Sequence, residues 1–101
     1  MNSDKIPVVI DRELADIVPG YLDRRREELA VLREAVADRD FAALRVMGHN
    51  LKGTGGGYGF EPISDFGKRL EQAGLTGDLS GASAAIDALG AYLERIEVTY
   101  A

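Results

Sequence analysis

The 101-residue sequence contains no cysteine, only one histidine and fewer basic than acidic residues. The absence of cysteine excludes disulfide bridges and thiolate metal sites. Seventeen acidic against twelve basic residues give a formal net charge of -5, the wrong sign for a nucleic-acid-binding surface. No apolar run approaches the roughly 18 residues of a membrane span, and residues 1–7 lack the apolar core of a signal peptide. We therefore expect a cytoplasmic protein with neither a nucleic-acid nor a membrane partner.

The length and composition of the chain predict one folded domain. A chain of 101 residues lies near the commonest domain size and leaves no room for a second catalytic domain. Hydrophobic residues make up 46% and charged residues 29%, which separates the chain from disordered sequences. We expect a single domain over residues 1–101 that acts as a monomer.

Apolar residues recur at helical spacing along the chain, without an internal repeat and without a convincing alternating strand pattern. This spacing predicts four helices that each carry one apolar stripe, arranged as an all-α, up-down-up-down four-helix bundle with a short additional N-terminal helix. Asp40 is expected to cap the second long helix, Asp78 or Ser80 the fourth, and Gly74 to end the third. The predicted helices cover residues 11–17, 19–37, 41–58, 61–73 and 80–100.

The segment from Gly48 to Phe60 holds the only histidine and six of the twelve glycines. A helix turns by about 100° per residue, which places the apolar residues Met47 and Leu51 on the side opposite to His49. His49 is therefore expected to face outward, away from the core. This argues against a buried structural histidine and leaves an ordinary surface histidine as the simplest alternative.

Four neighbours of His49 share its predicted helical face. Each glycine in a helix interior costs roughly 0.5–1 kcal/mol relative to alanine, so Gly53 and Gly56 need a reason to be there. Their missing side chains leave bare backbone beside the imidazole, where a second protein can approach closely. Lys52, with Arg45, places positive charge where the anionic oxygens of a phosphorylated imidazole would lie. Imidazole suits such a transfer because it is largely neutral and nucleophilic at cellular pH.

Other sites that use glycines or a histidine fit this segment poorly. A dinucleotide-binding fingerprint that starts at Gly53 or Gly55 would meet Tyr58 or Phe60 where glycine is required, and no Gly-Lys-Ser or Gly-Lys-Thr occurs. We expect no metal site, because the single histidine has basic neighbours and the chain has no cysteine. A serine-type triad is disfavoured by the lack of a nucleophile elbow.

The segment His49-x-Leu51-Lys52-Gly53, followed by Gly59 ten positions after the histidine, closely resembles the signature of histidine phosphotransfer (HPt) domains of two-component phosphorelays. Gly59 and the phenylalanine after it are also similar to the phosphoacceptor domain of chemotaxis histidine kinases. The resemblance covers essentially the whole chain. It implies that Nε2 of His49 carries a phosphoryl group and that the charge of Lys52 assists the transfer.

The resemblance further implies a residue on the next helix that holds the other ring nitrogen of His49. Chemotaxis phosphoacceptor domains use a glutamate, which falls on Glu71 when the positions are counted without gaps. Other members of the family have glutamine there, which makes Gln72 the second choice. A carboxylate at the Nδ1 proton would fix the tautomer that leaves Nε2 its lone pair. Lys68, one turn before Glu71, is expected to border the site.

The function implied by the resemblance is that of a phosphorelay carrier. His49 would accept a phosphoryl group from the aspartate of a receiver domain, or from a kinase, and pass it to a response-regulator receiver. The expected partners are therefore receiver domains and a sensor or hybrid histidine kinase. The chain shows no ATP-binding or kinase motif, so we expect a carrier and not an enzyme, without a cofactor of its own. Mg²⁺ is expected in the acidic pocket of the receiver.

Two alternatives to the relay carrier stay open at this point. The first is the phosphoacceptor substrate domain of a chemotaxis-type histidine kinase. The second is a bundle that binds receivers without transferring a phosphoryl group. The intact residues His49, Lys52 and Gly53 argue against the second alternative.

Overall fold

The computed structural model describes residues 5–101, and residues 1–4 of the predicted domain lie outside the described part. The predicted all-α, up-down-up-down four-helix bundle is confirmed. Two short 3₁₀ turns accompany the bundle, Arg12–Leu14 before the first helix and Gly56–Tyr58 after the second. Within residues 5–101, no helix combines the length and the apolar character needed to cross a membrane. The regular elements are β1 (Ile6–Ile10), α1 (Val18–Ala37), α2 (Phe41–Thr54), α3 (Glu61–Thr76), α4 (Leu79–Arg95) and β2 (Ile96–Tyr100).

Two helices begin at aspartates, at Asp40 as predicted and at Asp78, one of the two residues predicted to cap the fourth helix. The side chain of Asp40 accepts a hydrogen bond of 3.1 Å from the backbone N–H of Ala43 at the start of α2. Asp78 accepts one of 2.8 Å from Gly81 at the start of α4. Each bond satisfies a backbone donor that has no partner within its helix. Because these caps involve residues three positions apart, the local sequence determines where both helices begin.

The two ends of the chain differ from the prediction. The expected N-terminal helix over residues 11–17 is only the three-residue 3₁₀ turn Arg12–Leu14, and the helix expected over residues 80–100 ends at Arg95. The residues before the turn and after α4 instead form β1 and β2, which pair in parallel from Ile6 opposite Ile96 to Ile10 opposite Tyr100.

The strand period in β2 is the signal that the helical interpretation overlooked. Its side chains alternate between half-buried and exposed, with Ile96, Val98 and Tyr100 turned inward. Alternation of this kind is typical of a strand with one side packed on a core. The pairing strand β1 lies at the other end of the sequence, so only the folded chain brings the two together.

Helices α2 and α3 also end at different places than predicted. Helix α2 stops at Thr54, four residues before the expected end, and the chain continues into the 3₁₀ turn. Helix α3 continues beyond Gly74 to Thr76 and ends at Gly77, whose φ of 70° lies in the left-handed region. Gly77 therefore ends the third helix, the role that was predicted for Gly74, because a left-handed C-cap position favours glycine.

Helices α2 and α3 pack with their backbones in direct contact at glycines. A Cβ atom on Gly67 would lie 2.7 Å from both the carbonyl oxygen of Gly48 and Cβ of Leu51. A Cβ atom on Gly74 would lie 2.7 Å from the backbone nitrogen of Arg45. No side chain fits between the two helices at these positions. This close approach brings the outward face of α2 beside the side chains of α3.

The core lies between the four helices and under the sheet. Phe60, between the 3₁₀ turn and α3, is completely buried, and Ile10 of β1 is 2% exposed. Ile10 also approaches Gly59, so the sheet covers the bundle beside the turn that follows α2. The largest fully buried side chains are Phe60, Leu32, Leu44, Ile63, Leu70, Ile86, Leu89 and Val18.

Candidate functional site

His49 lies on the solvent-facing side of α2. Its side chain is 66% exposed, whereas Leu44 and Leu51 on the opposite side of the helix are buried in the core. The imidazole is therefore accessible to another protein, as the helical geometry of the sequence predicted.

Glu71 of α3 connects His49 to Lys52. Its Oε2 lies 2.9 Å from Nδ1 of His49, and its Oε1 accepts a hydrogen bond of 2.6 Å from Nζ of Lys52. The carboxylate is much less exposed than the two groups it binds, at 18% against 66% for His49 and 41% for Lys52. One acidic side chain on α3 thus holds both the imidazole and the ammonium group on α2.

The charge of Glu71 determines the tautomer of the imidazole. Two hydrogen bonds lower the pKa of the Glu71 carboxyl below its ordinary value of 4.5. The bond from Lys52 has the larger effect and the bond from His49 the smaller one. An ionised carboxylate only accepts hydrogen bonds, so the proton in the contact with His49 belongs to Nδ1. A neutral ring then carries its lone pair on Nε2, the nitrogen that makes no contact with Glu71.

The glycines around His49 have different surroundings. A Cβ atom on Gly53 would meet nothing within 4 Å, so the surface one turn after His49 is open. The expectation that Gly56 continues this helical face is wrong, because α2 has already ended and a Cβ there would lie 2.5 Å from Oε1 of Glu61. Gly59 adopts a left-handed φ of 95°, and its Cβ would lie 2.6 Å from Cδ1 of Ile10. A turn of this conformation against a buried side chain requires glycine.

The remaining predicted residues stay outside the hydrogen-bonded group. Arg45 is exposed on α2, one turn before His49, and Lys68 and Gln72 are exposed on α3. Lys68 and Gln72 line an open groove between α3 and α4. The contact with Nδ1 is made by Glu71 and not by Gln72. The contributions of Arg45 and Lys68 to the site stay predictions.

Ser64 and Gly67, both on α3, position the site without having been singled out in the sequence. Gly67 permits the backbone contact between α2 and α3, and the hydroxyl of Ser64 hydrogen-bonds to the backbone at the end of α2. The heptad spacing of Gly67 and Gly74 is a signal that would have indicated the glycine contact. No comparable pattern marks Ser64.

A further contact ties the end of α2 to α1. The Tyr21 hydroxyl of α1 lies 3.0 Å from Oγ1 of Thr54. The Tyr21 ring also stacks on Tyr58 of the 3₁₀ turn, with 4.1 Å between ring centroids. The last turn of α2 is therefore held by both neighbouring helices.

Comparison with known families identifies the fold that carries this site. The model of the Hpt domain family matches residues 16–99, which include all four helices and the whole hydrogen-bonded group. The chain belongs to the Hpt domain family. Comparisons with curated proteins and with solved structures gave no match.

An Hpt domain takes part in histidine phosphotransfer within a phosphorelay. Domains of this family carry phosphoryl groups and are not kinases, and they interact with receiver domains and histidine kinases. Strand β1 precedes the region that the Hpt model matches, so the two-stranded sheet extends beyond the matched region at its N-terminal strand.

Proposed function

We propose that His49 is the phosphoacceptor of this Hpt domain, which takes a phosphoryl group from the aspartate of one receiver domain and passes it to another. The observation that carries the proposal is the placement of the imidazole. Its Nδ1 is held 2.9 Å from Glu71, while the ring itself is 66% exposed. This arrangement leaves Nε2 free for a reacting phosphorus atom.

The proposed transfer forms one bond and breaks one. The lone pair of Nε2 attacks the phosphorus of the aspartyl phosphate, the Nε2–P bond forms, and the P–O bond to the aspartate breaks. The carboxylate leaves with the electron pair of that bond, and the proton stays on Nδ1. The ring becomes positively charged, which the adjacent carboxylate of Glu71 stabilises. The reverse sequence of bonds delivers the group to the second receiver.

Lys52 provides positive charge for the transferred group. In the unphosphorylated protein its ammonium binds Glu71 at 2.6 Å, and 41% of its side chain is exposed. It can therefore turn towards the phosphoryl oxygens without a rearrangement of the backbone. Phosphoryl transfer requires mainly positioning and charge stabilisation, so one imidazole and one ammonium suffice on this side. Mg²⁺ belongs to the acidic pocket of the receiver in this scheme.

The receiver is expected to cover the surface around His49. The open backbone at Gly53 permits close approach beside the imidazole. Val46 on α2 and Leu75 on α3, each one turn from the His49–Glu71 pair, are 49% and 61% exposed. Apolar residues of this kind contribute the hydrophobic part of a protein interface. Arg45 and Lys68 are both exposed, and we expect their positive charge to attract the acidic pocket of a receiver.

The test uses receiver domains phosphorylated with labelled phosphate. The wild-type protein is expected to gain label, and His49→Gln is expected to gain none. His49 is exposed, so the variant should remain folded, which its circular dichroism spectrum checks. Glu94→Gln, at an exposed position of α4, is the matched control and should accept label like the wild type. Transfer to His49→Gln at the wild-type rate would refute the proposal.

Two further assays distinguish the proposed relay carrier from the two alternatives. A phosphoacceptor domain of a chemotaxis-type kinase should be labelled by the ATP-binding core of a histidine kinase with ATP, without any phosphorylated receiver. A bundle that only binds receivers should form the complex with a phosphorylated receiver and remove no label from it.

A further inference from the structure

The hydroxyl group of Ser64 stands between two backbone groups at the end of α2. It donates a hydrogen bond of 2.9 Å to the carbonyl oxygen of Lys52 and accepts one of 2.8 Å from the N–H of Gly56. In an α-helix that continued, the N–H of Gly56 would donate directly to the carbonyl of Lys52, four residues earlier. The serine of α3 therefore occupies the place of one helical hydrogen bond.

The position of this hydroxyl explains why α2 ends earlier than its sequence predicts. The helical pattern of the sequence extends to residue 58, but the helix stops at Thr54. A polar side chain inserted into the hydrogen-bond ladder is a known cause of bends and breaks in helices. The glycines that follow have low helix propensity and offer little resistance to the break.

Lys52 is the residue most affected by this arrangement. It lies in the last turn of α2, where carbonyl groups have no partner within the helix. Ser64 supplies that partner for its backbone, and Glu71 binds its ammonium group at 2.6 Å. Both partners belong to α3, separated by seven positions, or two helical turns. Lys52 is thus attached to α3 at its backbone and at the end of its side chain.

We propose that Ser64 is a positioning residue for phosphoryl transfer, which ends α2 after Thr54 and holds the backbone of Lys52 so that its ammonium reaches the phosphoryl group on His49. The proposal rests on the proposed function of His49 and adds a residue that touches neither the imidazole nor the phosphoryl group. It acts through Lys52 alone.

The test is a double-mutant cycle of Ser64→Ala and Lys52→Ala, with transfer from a phosphorylated receiver as the measurement. In the wild-type background, Ser64→Ala is expected to lower the transfer rate at saturating receiver by on the order of tenfold, because small displacements of a catalytic group have effects of this size or larger. The KM for the receiver should change by less than about twofold, since no exposed docking side chain is lost. Ser80→Ala, at an exposed position of α4, is the control serine and should transfer normally.

The Lys52→Ala background distinguishes positioning from a general loss of structure. If Ser64 acts through Lys52, then Ser64→Ala should change the rate by less than about twofold when Lys52 is already absent, because the two effects are not additive. An equal slowing in both backgrounds would show a structural role only and would overturn the proposal. Wild-type rates in Ser64→Ala would also overturn it.

A measurement without phosphoryl transfer completes the experiment. Amide hydrogen exchange of the unphosphorylated protein should change at Gly56 and in the adjoining turn of Ser64→Ala, because the N–H of Gly56 loses its acceptor. Unchanged exchange there would refute the role of Ser64 in ending α2. A wild-type protein that accepts no label from any receiver would instead refute the function proposed for His49, independently of the exchange result.

Discussion

Replacement of Gly67 by alanine tests whether backbone contact between α2 and α3 builds the site. The new Cβ atom would collide with the backbone nitrogen of Lys52 and would lie 2.7 Å from Gly48 O and from Cβ of Leu51, whereas ordinary contact begins at 3.4 Å. The helices must therefore separate by at least about 0.7 Å. A separation of that size would lengthen the contact of His49 Nδ1 with Glu71 from 2.9 Å to about 3.6 Å, beyond hydrogen-bond range.

The free energy of unfolding should fall in this variant. Overpacking of a filled contact costs about 1–3 kcal/mol, and removal of a glycine from a helix interior offsets up to about 1 kcal/mol of this. Because the new Cβ atom meets backbone atoms that cannot turn away, we expect the upper part of this cost and a net loss of about 1–2 kcal/mol. Gly20→Ala on α1 is the matched control, because its Cβ atom would meet nothing within 4 Å and alanine is expected to stabilise by about 0.5 kcal/mol.

Urea denaturation measures the free energy of unfolding of both variants. The rate of transfer from a phosphorylated receiver measures the effect of each substitution on the site. Gly67→Ala should transfer more slowly than Gly20→Ala even under conditions where both are fully folded. The reasoning would be refuted if the two variants had the same stability, or if Gly67→Ala were as stable as the wild type and transferred at its rate.

Three further predictions concern the face of α2, the charge of Glu71 and the sheet. Gly53→Gln should raise the KM for the receiver by filling the open surface, and its free energy of unfolding should be no lower than that of the wild type, because glutamine has the higher helix propensity; an unchanged KM would contradict this role of Gly53. The lowered pKa of Glu71 means that its contribution to stability is complete above pH 4.5 and is lost as the pH falls through the folded-state pKa. Denaturation across this range should therefore show a shallower acid decline for Glu71→Gln, and equal declines would contradict the pairing. Ile10→Ala should destabilise by about 2–4 kcal/mol because Ile10 is buried, whereas Val9→Ala, at a 67% exposed position, should be neutral by the same denaturation measurement.

The agreement between the sequence and the structure is closest around His49. A helical period alone is sufficient to place the histidine opposite the core residue Leu51 and near Lys52. The position of Glu71 was implied by the resemblance to the family, and its contact with Nδ1 is visible only in the structure. A charged residue on another helix carries no local signal of the group that it faces.

What the sequence by itself determined are the features that depend on residues within a few positions of one another. The aspartate caps at Asp40 and Asp78 and the outward direction of His49 are of this kind, because each follows from neighbouring backbone and side-chain groups. The all-α bundle follows as well, since four amphipathic helices with short connections have few ways to bury their apolar stripes.

The tertiary structure alone decided the features that join distant parts of the chain. The last five residues of the predicted fourth helix became a strand because β1, about 90 positions away, pairs with them. Helix α2 ended at Thr54 because a hydroxyl from α3 occupies the place of its next hydrogen bond. Gly67 and Gly74 brought α3 so close that one carboxylate binds both His49 and Lys52. Local propensity does not specify these contacts, because each partner group belongs to another segment of the chain.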